Sequence, residues 1–308
     1  MNQNSIIDIA RLLRVPAGFS LISNVLCAVL VFGGQWNIDL LLLTLASLTF
    51  YFAGMVGNDL ADLNEDRELR PERVLPSGKI EIQVARLIML GLLLCGFLAI
   101  TSFAYLKNSP WTIALAVALI ASIFFYNHWA KRFWFGAFAM GACRVINVFM
   151  VTAHLLPQLP QGSSWIESPF LYPIGLGIYI VGVTWFADDE DKQSQRWKLV
   201  ISGLTIVAGL VLLCLVSLFE KDLRDTGIPF KAVIFCLLLF PVVRTMLIAI
   251  IYKSPQTVQR TIGLALRSII VVDAYLCFAI HPDQPWMAIC IVLLLLPNFL
   301  LGRWIRST

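Results

Sequence analysis

The chain has 308 residues, of which 59% are hydrophobic and only 14% charged, with a mean hydropathy of +0.81. Soluble domains run at roughly 45–50% apolar and about 25% charged, so a cytosolic, secreted or disordered protein is excluded and a polytopic membrane protein is indicated, with the bilayer as its solvent. The net charge of +4 is too small for a nucleic-acid surface, and no nucleic-acid partner is expected.

The first residues, Met-Asn-Gln-Asn-Ser, carry no basic n-region and no small-residue cleavage site, so no removed signal peptide is expected. Ten apolar stretches then approach the ~20 residues that a spanning helix needs: 15–32, 40–57, 87–106, 111–129, 133–156, 170–187, 199–219, 232–251, 262–280 and 286–301. Tryptophans mark several ends, among them Trp36, Trp111, Trp129, Trp134, Trp185, Trp286 and Trp304, as interfacial anchors do. The seven cysteines lie inside apolar stretches without a CxxC pair and read as core residues. The three histidines are too far apart for metal-ligand spacing.

Placing the N-terminus in the cytoplasm puts 17 of the 23 basic residues on that side, four on the other, and Arg144 and Arg244 inside helices. By the positive-inside rule both termini are then cytoplasmic and the helix number is even. Nine helices require one of the last two segments to be re-entrant. The expected architecture is an all-α transmembrane bundle of nine or ten helices forming one domain, 1–308, around a central cavity open to the cytoplasm and laterally to lipid. A bacterial cell membrane fits the missing leader. Two loops, near 58–84 and 188–198, stand apart from the short connections, and both start with acids on the cytoplasmic side.

The first acidic run is Asn58-Asp59-Leu-Ala-Asp62-Leu-Asn-Glu-Asp66-Arg67. Asp59, Asp62 and Asp66 are spaced i, i+3, i+7, so in a continuous helix they share one face. Three neighbouring carboxylates repel unless a cation lies between them. Hard oxygen donors at this spacing, with Asn58 adding a neutral one, suit Mg²⁺, which keeps positions open for phosphate oxygens. Arg67, Arg70 and Arg73 follow directly, and guanidinium forks bind phosphate bidentately. Metal-holding acids beside anion-holding arginines indicate a diphosphate site at the membrane surface. The plainer reading, a solvated loop of paired charges, does not account for the ordered run at a helix end.

The run Asn58-Asp59-x-x-Asp62-x-x-x-Asp66-Arg67, followed by Arg70-Pro71-x-Arg73-x-Leu75-Pro76-Ser77-Gly78, resembles the first aspartate-rich motif of the UbiA-type intramembrane prenyltransferases. Tyr126-Asn127-x-x-x-Lys131-Arg132 and Arg11-x-x-Arg14-x-Pro16 are similar to further segments of that family. The resemblance implies an all-helical membrane enzyme that transfers a prenyl or polyprenyl group from a Mg²⁺-bound prenyl diphosphate to a lipophilic, usually aromatic, acceptor. It assigns metal and diphosphate binding to Asn58, Asp62 and Asp66, with Asp59 beside them, and diphosphate contacts to Arg67, Arg73 and Lys131.

The second run departs from the pattern. Members of the family usually carry Asp-x-x-x-Asp here, whereas this chain reads Phe186-Ala-Asp188-Asp-Glu190-Asp191-Lys192-Gln-Ser-Gln195. Position i+4 is Lys192 from Asp188 and Gln195 from Asp191. The usable helical pair is Asp188 with Asp191, and Glu190 can also turn inward. One reading is a modified second Mg²⁺ site held by Asp188, Glu190 and Asp191, which with Asp62 and Asp66 carries catalysis. The other is an acidic cap on the preceding helix.

Charges inside a bilayer cost at least about 2.5–3.5 kcal/mol at mid-helix, so they face a partner or a cavity. Arg244 and Asp273 on adjacent segments form one expected pair. Arg144, Asn147 and Asn24, with Tyr126, are expected to line the central cavity and position the acceptor. No nucleophilic side chain is required: ionisation of the allylic C–O bond gives a prenyl cation, which the faces of Phe124, Phe125, Tyr126 and Phe186 favour. Two other classes remain open. A small-solute transporter calls for Gly/Pro-broken helices at matching places in two halves, but Pro241 and Pro297 have no counterparts in the first five helices. A non-catalytic homologue that binds isoprenoid lipid fits the altered second run. A CDP-alcohol phosphotransferase lacks its Asp-Gly-x-x-Ala-Arg run here.

Overall fold

The computed structural model describes residues 3–159, 169–188, 195–218 and 228–305, and among these there are thirteen α-helices and no strand. In chain order they are α1 (Gln3–Leu12), α2 (Val15–Val31), α3 (Leu40–Ala61), α4 (Leu63–Leu69), α5 (Ile82–Lys107), α6 (Pro110–His128), α7 (Gly136–Thr152), α8 (Leu171–Ala187), α9 (Arg196–Leu218), α10 (Ile228–Tyr252), α11 (Pro255–Ile280), α12 (Pro285–Leu293) and α13 (Leu295–Trp304). Each of the ten apolar stretches coincides with a helix, the last with the α12–α13 pair. Seven helical segments among the described residues are long and apolar enough to cross a membrane, α1 with α2 makes an eighth, and α7 and α8 are shorter apolar helices. The chain is a multi-pass membrane bundle.

Local chemistry sets where these helices start and break. Pro110, Pro255 and Pro285 open α6, α11 and α12, where a missing N–H costs nothing. Ser254 caps α11 by accepting the Thr257 N–H at 3.3 Å. Pro16 has no N–H to offer the Leu12 carbonyl, so α1 stops. Arg14 takes the left-handed conformation (φ 50°, ψ 46°), and α2 leaves at 55°. Pro297 likewise cannot bond the Leu293 carbonyl, and α12 gives way to α13 at Leu294. Two helices begin earlier than the apolar pattern suggests. α5 starts at Ile82 and α11 at Pro255, which puts Arg86 and Arg260 inside helices rather than in loops.

The helices close into a ring. α2 packs on α3, α3 on α5 and α6, and the order then runs α6, α7, α8, α9, α10, α11 and back to α2. α12 covers α11, and α13 covers α2. Across the interior α2 also meets α7 and α8, and α11 meets α8. Small residues permit the tightest contacts: a Cβ on Gly141 of α7 would lie 2.8 Å from the Gly177 carbonyl oxygen of α8, and one on Gly182 would lie 2.7 Å from the Ile206 nitrogen of α9. Phe50, Phe103, Tyr172, Tyr179 and Phe186 are buried in the core, while Leu87, Leu90, Leu94 and Leu98 on α5 and Leu237, Phe240, Leu247 and Ile251 on α10 are exposed at helical spacing. These outward apolar stripes are stable only against lipid.

Candidate active site

The first acidic run sits at the open end of α3. The backbone ladder passes through the kink, since Asp62 N–H bonds the Asn58 carbonyl at 2.9 Å and Asp66 N–H bonds the Asp62 carbonyl at 2.8 Å. The helix nonetheless bends at Asp62 (φ −91°, ψ 1°), so α4 does not extend α3 in a straight line.

Each acid takes a different cation. Arg14 Nη2 donates to Asp59 Oδ1 at 3.0 Å, Lys131 pairs with Asp62, and Arg73 Nη1 reaches both Asp66 oxygens at 2.9 and 2.8 Å. Arg70 stands 3.9 Å from Asp66 Oδ1. Asn58 joins the second pair, donating to Asp62 Oδ2 at 3.1 Å and accepting from Lys131 Nζ at 3.3 Å. Asp66 is buried, Asp59, Asp62, Arg73 and Lys131 are half-buried, and Arg67 is exposed with no ion pair among the described residues. Sequence reasoning connected Arg14 to the site only through a family segment. Its role as the partner of Asp59 depends on the left-handed turn that aims it there.

Among the described residues no three acidic, histidine or cysteine side chains are gathered as a metal cage. The donor set still fits Mg²⁺. It consists of hard oxygens (Asn58, Asp59, Asp62 and Asp66), and Mg²⁺ is usually held by one or two carboxylates plus substrate phosphates rather than by an all-protein cage. Glu190 and Asp191 lie outside the described residues. Asp188 is exposed at the end of α8 and borders a cavity of about 600 Å³ together with Lys131, Arg132, Trp134, Trp185 and Trp197. Lys131 therefore stands between the first run and the end of α8.

Below the acids lies a mainly apolar cavity of about 90 Å³, lined on α3 by Gly54 and Met55, one turn before Asn58. Tyr126, Arg144 and Asn147 line it as expected, together with Tyr51 and Ser47. The buried Ser47 hydroxyl has no hydrogen-bond partner among the described residues. Asn24 is not on the wall but behind it: its Oδ1 accepts from Arg144 Nη1 at 2.9 Å. Asn127 pins α6 to α3 through a 3.0 Å bond to the Gly54 carbonyl.

The expected Arg244–Asp273 pair does not form. Asp273 is 18 residues into α11, about 27 Å from its start, while Arg244 lies only eight residues, about 12 Å, from the end of α10. The two occupy different depths. Asp273 is buried and accepts from Ser23 Oγ at 2.6 Å, Asn24 Nδ2 at 2.8 Å and the Tyr172 hydroxyl at 2.9 Å. A chain of contacts thus runs Arg144–Asn24–Asp273–Tyr172 through α7, α2, α11 and α8. Tyr172, and Asp273 as the centre of this chain, were missed from sequence, because their partners lie 101 to 250 residues away.

The model of the UbiA prenyltransferase family matches residues 20–219, about two-thirds of the chain and both acidic runs. The chain belongs to the UbiA prenyltransferase family. Similar solved structures have this fold. A UbiA homologue from Aeropyrum pernix K1 matches with a TM-score of 0.60 at 19% identity, covering 84% of this chain and 96% of that one. A digeranylgeranylglyceryl phosphate synthase matches with a TM-score of 0.58 at 16% identity, covering 90% and 98%. A UbiA homologue from Archaeoglobus fulgidus bound to GPP and Mg²⁺ matches with a TM-score of 0.54 at 16% identity, covering 89% and 99%. No match was found among curated proteins by sequence. For this UbiA-family chain the expected all-helical membrane fold is thereby met.

Proposed function

We propose that this chain transfers a prenyl group from a prenyl diphosphate to a lipophilic acceptor within the membrane, with the reacting groups meeting at the Asn58–Asp66 end of α3. The observation that carries the proposal is the pairing of Asp59 with Arg14, of Asp62 with Lys131, and of Asp66 with Arg73 and, more distantly, Arg70. Acids and bases already interleaved in this way can exchange partners: when a metal–diphosphate enters, the carboxylates turn to the cation and the freed Arg14, Arg73 and Lys131 turn to phosphate oxygens. The UbiA homologue bound to GPP and Mg²⁺ supports the same ligand chemistry here.

Mg²⁺ held by Asn58, Asp62 and Asp66, with Asp59 beside them, would neutralise leaving diphosphate charge. Arg73 and Lys131 add fixed positive charge at the same oxygens as the allylic C–O bond breaks, and Arg67 stands exposed on the approach. Tyr126 and Tyr51 face the cavity beneath and favour a developing prenyl cation. The apolar wall limits water there. The unpartnered Ser47 and the cavity-lining Asn147 are available to orient a polar group on the acceptor, and Arg144, held by Asn24, sits beside them. Asp188, Glu190 and Asp191 are proposed to complete the diphosphate site, with the N-terminus cytoplasmic and the protein in a bacterial cell membrane.

The test is Mg²⁺-dependent binding of a prenyl diphosphate by the purified protein, followed by product formation from labelled prenyl diphosphate in a membrane lipid extract. Wild type should bind only with Mg²⁺ and yield a labelled lipophilic product, and Asp62→Ala should do neither. Binding without any product from a broad acceptor set would favour the non-catalytic reading, for which the altered run at Lys192 and Gln195 is the supporting observation. A folded protein that binds no prenyl diphosphate would overturn both.

A further inference from the structure

Arg244, Arg260 and Arg267 form a second basic cluster, away from the acidic run. They line a cavity of about 420 Å³ between α10 and α11, with Pro241, Thr245, Thr257 and Leu264. None of the three has an ion pair among the described residues. α10 and α11 touch beside the cavity, where Thr261 Oγ1 on α11 donates to the Thr257 carbonyl of its own helix at 2.8 Å and shares that proton with the Thr245 carbonyl of α10 at 3.1 Å. The guanidinium of Arg267 lies 5.7 Å from the centre of the Phe299 ring. That contact positions the plane and leaves its N–H edges available. The Thr245 and Thr257 hydroxyls are already donated to the Pro241 and Ser254 carbonyls. The arginines are therefore the donors the site offers, and an anion with several acceptor oxygens is what it lacks. The N-terminus of α11 adds positive potential at the same end.

Depth selects the anion. Arg244 is about 12 Å inside α10, and Arg260 and Arg267 are about 8 and 18 Å inside α11. The outward neighbours Phe240, Leu247 and Ile251 are exposed apolar residues that face lipid. Unpaired guanidinium at that depth is costly, and an anion that reaches it must carry acyl chains compatible with the groove. We propose that this α10–α11 groove is a binding site for the phosphate of an anionic phospholipid, held by Arg244, Arg260 and Arg267. Basic pockets between membrane helices bind such headgroups through the same chemistry.

Arg267 also lines a neighbouring cavity of about 490 Å³ with Arg14, Arg70, Arg73 and Tyr51. The lipid would thus lie one side chain behind the prenyl-diphosphate site, separate from it and independent of whether that site is catalytic.

The test is native mass spectrometry and thermal stability of the purified full chain with phosphatidylglycerol, phosphatidylcholine or inorganic phosphate. Phosphatidylglycerol should be retained and raise the melting temperature, and the other two should not. Arg244→Gln with Arg260→Gln should weaken phosphatidylglycerol binding by roughly 30-fold, about fivefold per charge. Arg244→Lys alone, which keeps the charge, should lose no more than roughly fivefold. Both positions are exposed, so folding is checked by an unchanged melting temperature without added lipid. Equal stabilisation by phosphatidylcholine, equal binding of inorganic phosphate, or an undiminished phosphatidylglycerol shift in the double variant would each overturn the site. Prenyl diphosphate binding to Asp62→Ala separates the two proposals, since loss there leaves the phosphatidylglycerol shift intact.

Discussion

Two sets of carboxylates in this protein are built on opposite plans. Asp59, Asp62 and Asp66 lie where α3 gives way to α4, each opposed by long, flexible bases, and all but Asp66 are partly exposed. Asp273 is buried in the bundle and saturated by short, rigid donors from Ser23, Asn24 and Tyr172. Long bases can leave one acceptor for another at modest cost where the pair is partly exposed, as at Asp59 and Asp62, because such ion pairs contribute only about 0–1 kcal/mol, whereas the Arg73–Asp66 pair is more enclosed. The donors to Asp273 are short and packed inside three helices: Ser23 and Asn24 have second acceptors in the Ser20 carbonyl at 2.9 Å and the Tyr172 hydroxyl at 3.4 Å, while a Tyr172 hydroxyl left unsatisfied costs about 1–3 kcal/mol. The first set is suited to exchanging partners with a ligand. The second serves to hold α2, α8 and α11 in one arrangement.

Opposite responses to substitution test this contrast. Asp273→Leu leaves the buried Tyr172 hydroxyl without its acceptor and removes one acceptor each from Ser23 and Asn24, and should destabilise the detergent-solubilised protein by at least about 1–3 kcal/mol, measured by thermal or denaturant unfolding. Asp62→Ala should show the reverse pattern: stability changed by no more than about 1 kcal/mol, but prenyl transfer reduced by at least about 100-fold. If Asp62→Ala unfolds the protein, or Asp273→Leu leaves it stable, the division between the two sets fails. Arg14→Gly should relieve about 1 kcal/mol of left-handed backbone strain while releasing Asp59, so stability stays near neutral and KM for the prenyl diphosphate rises with little change in kcat.

The smallest effect is expected at the other end of the bundle. His154 is half-buried against Phe103, its Nδ1 has no partner, and burial together with the nearby Lys107 charge lowers its pKa. A lowered folded-state pKa means the unfolded chain takes the proton first. Stability should therefore be full above about pH 6.5 and fall as pH drops below it. A His154→Gln variant should show a shallower decline.

Most of the helical plan was legible because apolar runs long enough to span have no other stable use. The ends were less legible where a proline or a cap, rather than hydropathy, sets them. α11 begins at Pro255 behind Ser254, not at the first apolar residue, and so Arg260 fell outside the apolar stretch that starts at 262. The first acidic run could be read as a site because its spacing and its arginines are local. Tyr51 and Ser47 could not, since each is an ordinary residue on a helix until α6 and α7 enclose the same space. The Asp273 contacts were unreadable for a different reason: two polar residues in different helices carry no mark of which of several partners they meet. Depth rules out Arg244, but only once helix starts are known.

The ring has a seam, and it lies between the beginning and the end of the chain. Ser23 and Asn24 on α2 bond Asp273 on α11, Asn298 on α13 donates to the Pro16 carbonyl at 2.6 Å, and Trp36 meets Trp286 edge to face at 5.5 Å. These contacts join residues about 250 to 280 apart in sequence. A membrane protein inserts from its N-terminus, so α2 enters the bilayer long before its partners have been synthesised. Its serine and asparagine must wait, exposed to lipid or shielded by the insertion machinery, until the last helices arrive. Completion of the fold is therefore a late event in synthesis. A chain that stops short of α11 is left with an open ring, an unpaired polar stripe and no closed wall behind the site.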